Sequence, residues 1–306
     1  MRYKADPVNR MYDRMAEEML ERTLRTSSRY FRASEAGDCK RKLWYRISGY
    51  RPAPNDGWLK HLGIQGDVDH DVVRDMLLHY GAELEGLKFA REEDGSVSVE
   101  ELEKVRETFD VDGTDVTIAC RSDGSIHIRE LLDEVFPDHG TDGLALLEVK
   151  GMDGFSWRWA NKAFAADGMD GVKEYIEEKK PYVWQMNTTM KLVGRPYAYL
   201  MVKDRSLSQS GFHNESNGER IGGGVWKFDP NLWKRTLNRM AIVRRAVDSG
   251  EPPRPDHAEG SKACKQCAWS YLCHGAEGRR RMGLEPAIVY PVPGEEDFHV
   301  EPVQSD

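Results

Sequence analysis

Residues 144–150 read Leu-Ala-Leu-Leu-Glu-Val-Lys. An apolar run of this length is a strand of the kind that lies buried in a sheet. Alternation along it puts Glu148 and Lys150 on one face and turns Val149 into the core. Asp123 stands upstream in Arg-Ser-Asp-Gly-Ser-Ile (121–126), just before another short strand. Adjacent strands bring Asp123 and Glu148 close together. Two such carboxylates repel unless a divalent cation lies between them, and Mg²⁺ or Mn²⁺ prefers oxygen ligands. Taken singly, Asp123 also reads as an ordinary Asp-Gly turn, and Glu148 with Lys150 as a surface ion pair.

With the carboxylates placed, Lys150 has a task. It orients or helps deprotonate an attacking water and steadies the charge that develops on phosphorus oxygens. His70, in Gly-Asp-Val-Asp-His-Asp-Val-Val (66–73), is a candidate imidazole ligand, and imidazole makes a site more tolerant of Mn²⁺. Asp67, Asp69 and Asp71 flank it and are the alternatives to it. Gln185 shares a helical face with Tyr182, Thr189 and Leu192. A glutamine among apolar neighbours needs partners, which a site lysine or a substrate phosphate provides.

The rest of the chain supplies elements around this centre. Residues 8–31 have the spacing of an amphipathic lead helix, and Ser34 is the expected N-cap of a second helix carrying Cys39, Leu43 and Trp44. Segment 49–58 is a Pro/Gly loop. Residues 61–80 read as helix, with Ile64, Val68, Val72, Met76 and Tyr80 recurring every fourth position, and Val73 and Leu77 on the side of His70. A hairpin is expected around Asp112-Gly113, then a strand after Asp123-Gly124. Residues 151–170 read as a loop. A helix over 171–193 has Pro181 near its start and Gly194 as its stop. Strands follow at 197–202 and within Gly-Gly-Val-Trp-Lys-Phe-Asp (223–229). Asp229-Pro230 opens a helix that runs to about Gly250, with Asp229 as cap. Residues 251–263 form a Pro-rich connector. The divisions expected are an N-terminal helical segment (1–33), a main domain (34–283) and a loose tail (284–306).

The chain has 306 residues, with 44 Lys plus Arg against 52 Asp plus Glu, a net charge of −8. That is enough chain for a full core without disulfides. The acidic balance argues against wholesale coating of nucleic acid but leaves room for a local basic groove. Basic and aromatic residues for such a groove are Lys40, Arg41 and Lys42, Trp157, Arg158 and Trp159, and Arg279 to Arg281. Base stacking on Trp is worth roughly 1–3 kcal/mol. No apolar run approaches the roughly 18 residues of a membrane span. The first twenty residues carry no leader-like apolar core, so a cytoplasmic setting is expected. There is no GxxxxGK[ST] phosphate loop, so any unwinding of a duplex falls to another chain.

Five cysteines occur, an odd number that favours metal or catalytic use over a disulfide scaffold. Cys264, Cys267 and Cys273 lie within ten residues, spaced x2 and x5. A tetra-thiolate site needs a fourth ligand, and Cys39 is the candidate. Cys120 reads as a small buried hydrophobe. Four thiolates suit either zinc or a 4Fe–4S cluster. Either would close a loop of more than two hundred residues and stabilise the fold by several kcal/mol.

Taken in order, Cys39, His70, Asp123, Glu148 and Lys150, Gln185, and Cys264, Cys267 and Cys273 resemble the iron–sulfur branch of the RecB-like PD-(D/E)XK nucleases. That branch includes the CRISPR-associated adaptation exonuclease, AddB-type nuclease domains and phage exonucleases. The resemblance implies an α/β, restriction-endonuclease-like core, a central mixed sheet flanked by helices, with an Fe–S staple joining the N- and C-terminal segments. It implies a Mn²⁺ or Mg²⁺ site made by His70, Asp123, Glu148 and the Val149 carbonyl, with Lys150 serving the attacking water. It implies exonuclease action on DNA ends, often 5′ to 3′ on single strands, with a recombinase, an annealing protein or CRISPR adaptation machinery as partner. One departure concerns the family's QxxxY helix motif, which has Thr189 in place of its tyrosine; Tyr182, one turn before Gln185, is the substitute. The competing readings are a non-catalytic Fe–S DNA-binding protein on a nuclease fold and a zinc-stapled endonuclease.

Overall fold

The run at 144–150 becomes the middle strand of the larger sheet in the computed structural model. The structure describes residues 30–50, 70, 73–79, 82–91, 97–102, 104–152, 180–204, 221–265, 267–270 and 272–274. In chain order the strands are β1 (Phe31–Arg32), β2 (Leu84–Glu85), β3 (Leu87–Arg91), β4 (Val97–Leu102), β5 (Lys104–Val111), β6 (Thr114–Arg121), β7 (Ser125–His127), β8 (Leu144–Met152), β9 (Tyr197–Asp204) and β10 (Ile221–Lys227). The helices are α1 (Lys40–Ile47), α2 (73–79), α3 (Arg129–Val135), α4 (Lys180–Val193), α5 (Pro230–Ser249) and the short α6 (Lys262–Lys265).

Among these strands there are two mixed sheets and a separate β3–β4 hairpin. The larger sheet has the order β10-β9-β8-β7-β2, with β8 and β9 parallel and the other neighbours antiparallel. A parallel pair needs a crossover, and α4 lies within the one between β8 and β9. The smaller sheet is β1-β6-β5. The expected single central sheet is therefore two, because the β5–β6 hairpin pairs with β1 instead of joining β8.

Side-chain alternation along β8 sorts the core. Leu146 faces α4 and packs with Met186, Met190, Ala198, Leu200 and Trp226. Leu147 and Val149 face the other way, against Val73 of α2, Ile126 and Met201. The smaller sheet, α1, α4 and α5 enclose a third cluster that includes Phe31, Trp44, Ile118, Trp184, Trp233 and Met240. So α4 is shared, with one side on the large sheet and another on the small one. Each fully buried Leu or Met on it contributes roughly 1.5–3 kcal/mol of transfer free energy.

Local chemistry explains most boundaries. Asp112 and Gly113 both take positive φ (52° and 75°), the conformation that a two-residue hairpin loop requires. The Asp229 side chain accepts the Asn231 N–H at 2.8 Å and caps α5, with Pro230 in the first turn and Gly250 in the left-handed conformation at its end. Pro181 stands at the second position of α4, and Gly194 (φ 75°) ends it.

Two local expectations are corrected. The N-cap of α1 is Cys39, not Ser34, which lies in a short 3₁₀ turn at Ala33–Glu35. In α2 the every-fourth stripe is out of phase: Met76 is 39 % exposed, while Val73 is buried. Burial there follows the His70–Val73–Leu77 side. The lead helix expected over 8–31 and the loop expected over 151–170 lie outside the described residues except at their edges, and both edges are corrected as well. Phe31 belongs to β1 because it pairs with Ile118 of β6, and residues 151 and 152 extend β8 because they pair with β9. The helical stretch 171–179 and the tail at 284–306 also lie outside the described residues.

Candidate active site

Asp123 occupies the three-residue passage, Ser122-Asp123-Gly124, between β6 of the small sheet and β7 of the large one. Gly124 has φ 110°, open to glycine, and its carbonyl accepts the Leu147 N–H of β8 at 2.9 Å. The Ser122 hydroxyl accepts the Gly124 N–H at 3.0 Å and closes the turn. Asp123 is thereby pressed against β8, where its Oδ2 accepts the Val149 N–H at 3.0 Å.

Its other oxygen, Oδ1, faces α2. His70 Nδ1 lies 2.8 Å from it and the Arg74 Nη1 donates to it at 3.3 Å. His70 and Arg74 are four residues apart, so one helical face presents both. Burial alone would raise the Asp123 carboxyl. The His70 hydrogen bond and charge, the Val149 N–H and Lys150 outweigh burial and hold it below its ordinary value of 3.8.

Glu148 is 3 % exposed on the α4 side of β8. Its Oε1 receives the Lys150 Nζ at 2.6 Å and the Gln185 Nε2 at 2.7 Å, and Lys150 also donates to the Gln185 Oε1 at 3.2 Å. The three side chains form a closed triangle. Gln185 is a full partner in it, giving one hydrogen bond and taking another. Burial, reinforced by Asp123 and opposed by Lys150, raises the Glu148 carboxyl. Lys150 is raised because the adjacent Glu148 carboxylate outweighs its burial. Its Nζ sits 5.6 Å from the centre of the Tyr182 ring. Thr189 points elsewhere: its hydroxyl is spent on the Gln185 carbonyl at 3.1 Å within α4.

The structure thus gathers His70, Asp123, Glu148, Val149, Lys150 and Gln185 at one place. Sequence reasoning missed Arg74. The clue was an arginine four residues after His70 on the face that also carries Val73 and Leu77, where a buried charge needs a carboxylate. Asp67, Asp69 and Asp71, and the Trp157–Trp159 and Arg279–Arg281 groups, lie outside the described residues. The cations expected to line a DNA groove near α1 are engaged internally. Lys40 pairs with Asp256, Lys42 with Asp38 at 2.8 Å, and the Arg41 Nε donates to the Pro253 carbonyl at 2.8 Å.

Cys39, Cys264, Cys267 and Cys273 line a single cavity of about 630 Å³ together with Arg41, Tyr45, Pro181 and Trp269. All four are free thiols. The Asp256 N–H points at the Cys39 Sγ at 3.4 Å and the Arg41 Nη1 at the Cys273 Sγ at 3.7 Å. Burial, with repulsion from neighbouring thiols, raises Cys267 and Cys273. Cys120 is buried in the hydrophobic core, as expected of a small apolar residue.

Among the described residues no group of three or more His, Cys, Asp or Glu side chains is arranged to hold a metal ion. At the carboxylates the cause is visible: Asp123 Oδ1 is turned to His70 and Arg74, and Glu148 Oε1 to Lys150 and Gln185. The donor types still match a hard divalent cation at the carboxylates and a soft thiophilic metal at the cysteines.

Neither a protein-family model nor a curated protein matches this chain. Several solved structures are loosely similar. An alkaline exonuclease (LHK-Exo) from Laribacter hongkongensis has a TM-score of 0.42 at 12% identity, over 75% of this chain and 93% of that one. The structure of SSO0001 has a TM-score of 0.42 at 13% identity, over 85% of this chain and 96% of that one. A phage related exonuclease from Haemophilus somnus 129PT has a TM-score of 0.39 at 13% identity, over 72% and 94%. The residues themselves define a mixed α/β protein with a buried carboxylate–lysine–glutamine centre. No described helix is long and apolar enough to cross a membrane.

Proposed function

We propose that this protein is a divalent-metal-dependent DNA exonuclease of the RecB-like PD-(D/E)XK type, built on a restriction-endonuclease-like core. The observation that carries the reading is the convergence of His70 and Asp123 with the Glu148–Lys150–Gln185 triangle on β8. Asp123 and Glu148 are both buried, and their oxygens are donors of the kind a hard divalent cation takes. Asp123, Glu148 and the Val149 carbonyl, with His70 beside them, would hold Mn²⁺ or Mg²⁺. The cation supplies Lewis-acid polarisation of the scissile phosphate.

The chain's own groups do the rest. Gln185 fixes the Glu148 carboxylate and the Lys150 ammonium in one geometry. Lys150, held by Glu148 and Gln185, would serve the attacking water and steady charge on the phosphate oxygens. Val149 and Leu147 anchor β8 on the opposite face, so Glu148 and Lys150 stand on a rigid strand. The substrate proposed is a DNA end, single-stranded and degraded 5′ to 3′, in recombination, repair or phage DNA processing beside a recombinase, annealing or CRISPR adaptation partner.

Cys39, Cys264, Cys267 and Cys273 would hold a 4Fe–4S cluster with a structural role. A shared cavity and four free thiols support this. The thiolates of a cluster bind separate iron atoms, so they need not converge on one point as the ligands of a single ion do.

The test is an anaerobic preparation given Mn²⁺ and end-labelled single- and double-stranded DNA, beside Lys150→Ala, with iron and zinc measured on the same samples. Shortened products from the wild type alone support the reading. Products from Lys150→Ala at the wild-type rate, or none from either protein, overturn it.

A further inference from the structure

Cys39 is the N-cap of α1, yet its side chain does not cap the helix. A residue at that position ordinarily folds its side chain back onto the first free N–H groups. Here another residue does so. Asp256, from the Pro-rich connector after α5, accepts the Lys40 N–H at 2.8 Å on its Oδ2, and its Oδ1 pairs with the Lys40 ammonium. The Cys39 thiol is left to face the cavity, where the Asp256 N–H meets its Sγ at 3.4 Å.

The contact is reinforced from a third direction. Arg239 of α5 donates through Nη2 to Asp256 Oδ2 at 2.7 Å and to the Asp38 carbonyl at 2.6 Å. Residues 38, 39 and 40 are therefore each tied, by carbonyl, thiol and amide, to the Asp256–Arg239 pair. The Arg239 guanidinium also stacks on Trp184, 5.2 Å from the ring centre and next in sequence to Gln185.

We infer that Asp256 is a positioning residue that takes over the capping of α1 and so presents the Cys39 sulfur to Cys264, Cys267 and Cys273. This rests on reading the cavity as a metal-cluster site, and the geometry names Asp256, held by Arg239, as what joins its distant ligand to the other three. The latch is assembled without metal, so the fourth thiol is in place when metal arrives.

The test uses the full chain, metal-free and then reconstituted with ferrous iron and sulfide under anaerobic conditions. In the metal-free protein, peptide-mapped alkylation by iodoacetamide should be several-fold faster at Cys39 in Asp256→Ala than in the wild type. Cys120 should stay protected in both, which reports an intact core, and Asp256→Glu should restore much of the protection. In the iron-loaded protein, Asp256→Asn should lose its absorbance to a chelator several-fold faster than the wild type. Equal Cys39 alkylation in the wild type and Asp256→Ala, with Cys120 protected, overturns the assignment. A wild type that takes up no iron but shows the Cys39 difference counts against the cluster alone and supports the latch.

Discussion

The carboxylate centre and the cysteine cavity both touch the first turns of α4, through Gln185 and Pro181, but they are built on opposite plans. The carboxylates sit on β8 and the β6–β7 passage, and their described cationic and amide partners come from regular elements: Arg74, Lys150, Gln185 and the Val149 N–H. That centre balances its charges from within and assembles as the protein folds. The cysteines come from the two ends of the described chain, line an open cavity, and keep two thiols raised by burial. That region holds its shape through Asp256 and Arg239, at 18 % and 22 % side-chain exposure, where ion pairs are weak. One site is set by the core, and the other by contacts between segments distant in sequence.

Lys150→Ala separates the two most sharply. Cleavage should fall by about 10²- to 10³-fold while iron content holds near the wild type, and the melting temperature should drop by a few degrees because Glu148 loses its buried partner. Parallel loss of iron would erase the distinction between the regions. Next, Cys264→Ser should lower the melting temperature by several degrees through loss of the long-range tie, with His70, Asp123 and Glu148 still binding Mn²⁺ in calorimetric titration. A chelator that removes only Mn²⁺ should stop cleavage and leave the melt almost unmoved.

Asp123→Asn should cost about 1–3 kcal/mol in urea unfolding, because Arg74 and His70 then face a neutral amide inside the protein. The sign of the pH dependence follows from the lowered carboxyl. Its pairing is complete above its ordinary value of 3.8 and is lost as pH falls through the lower folded value. Acid titration of stability below pH 3.8 should therefore flatten in the variant. The smallest effect expected is at Thr189→Val: about 1 kcal/mol or less in stability, with cleavage unchanged, since its hydroxyl serves only the Gln185 carbonyl.

These regions also differ in how far they were readable. Glu148, Lys150 and the Asp112-Gly113 turn were legible because strand alternation and turn conformation are local properties. The α5 start at Asp229-Pro230 was legible for the same reason. The split into two sheets was not, since it depends on β1 pairing with β6 across the chain. Arg74 was overlooked because its carboxylate partner is distant in sequence. Serine caps by its own side chain, which favours Ser34 in the sequence, whereas Cys39 stands at a helix start capped from residue 256. Asp256 had no local mark at all: a lone aspartate in a proline-rich stretch acquires a role only through folding.

The double use of α4 bears on engineering. A site carried on loops can be exchanged by swapping the loops. Gln185 instead sits between Trp184, packed with the small-sheet core, and Met186, packed on the large sheet. Sliding or turning this helix by one residue would move all three together. Its place in the site is set by the hydrophobic interior, so a change at this position has to be matched by repacking on both of its faces.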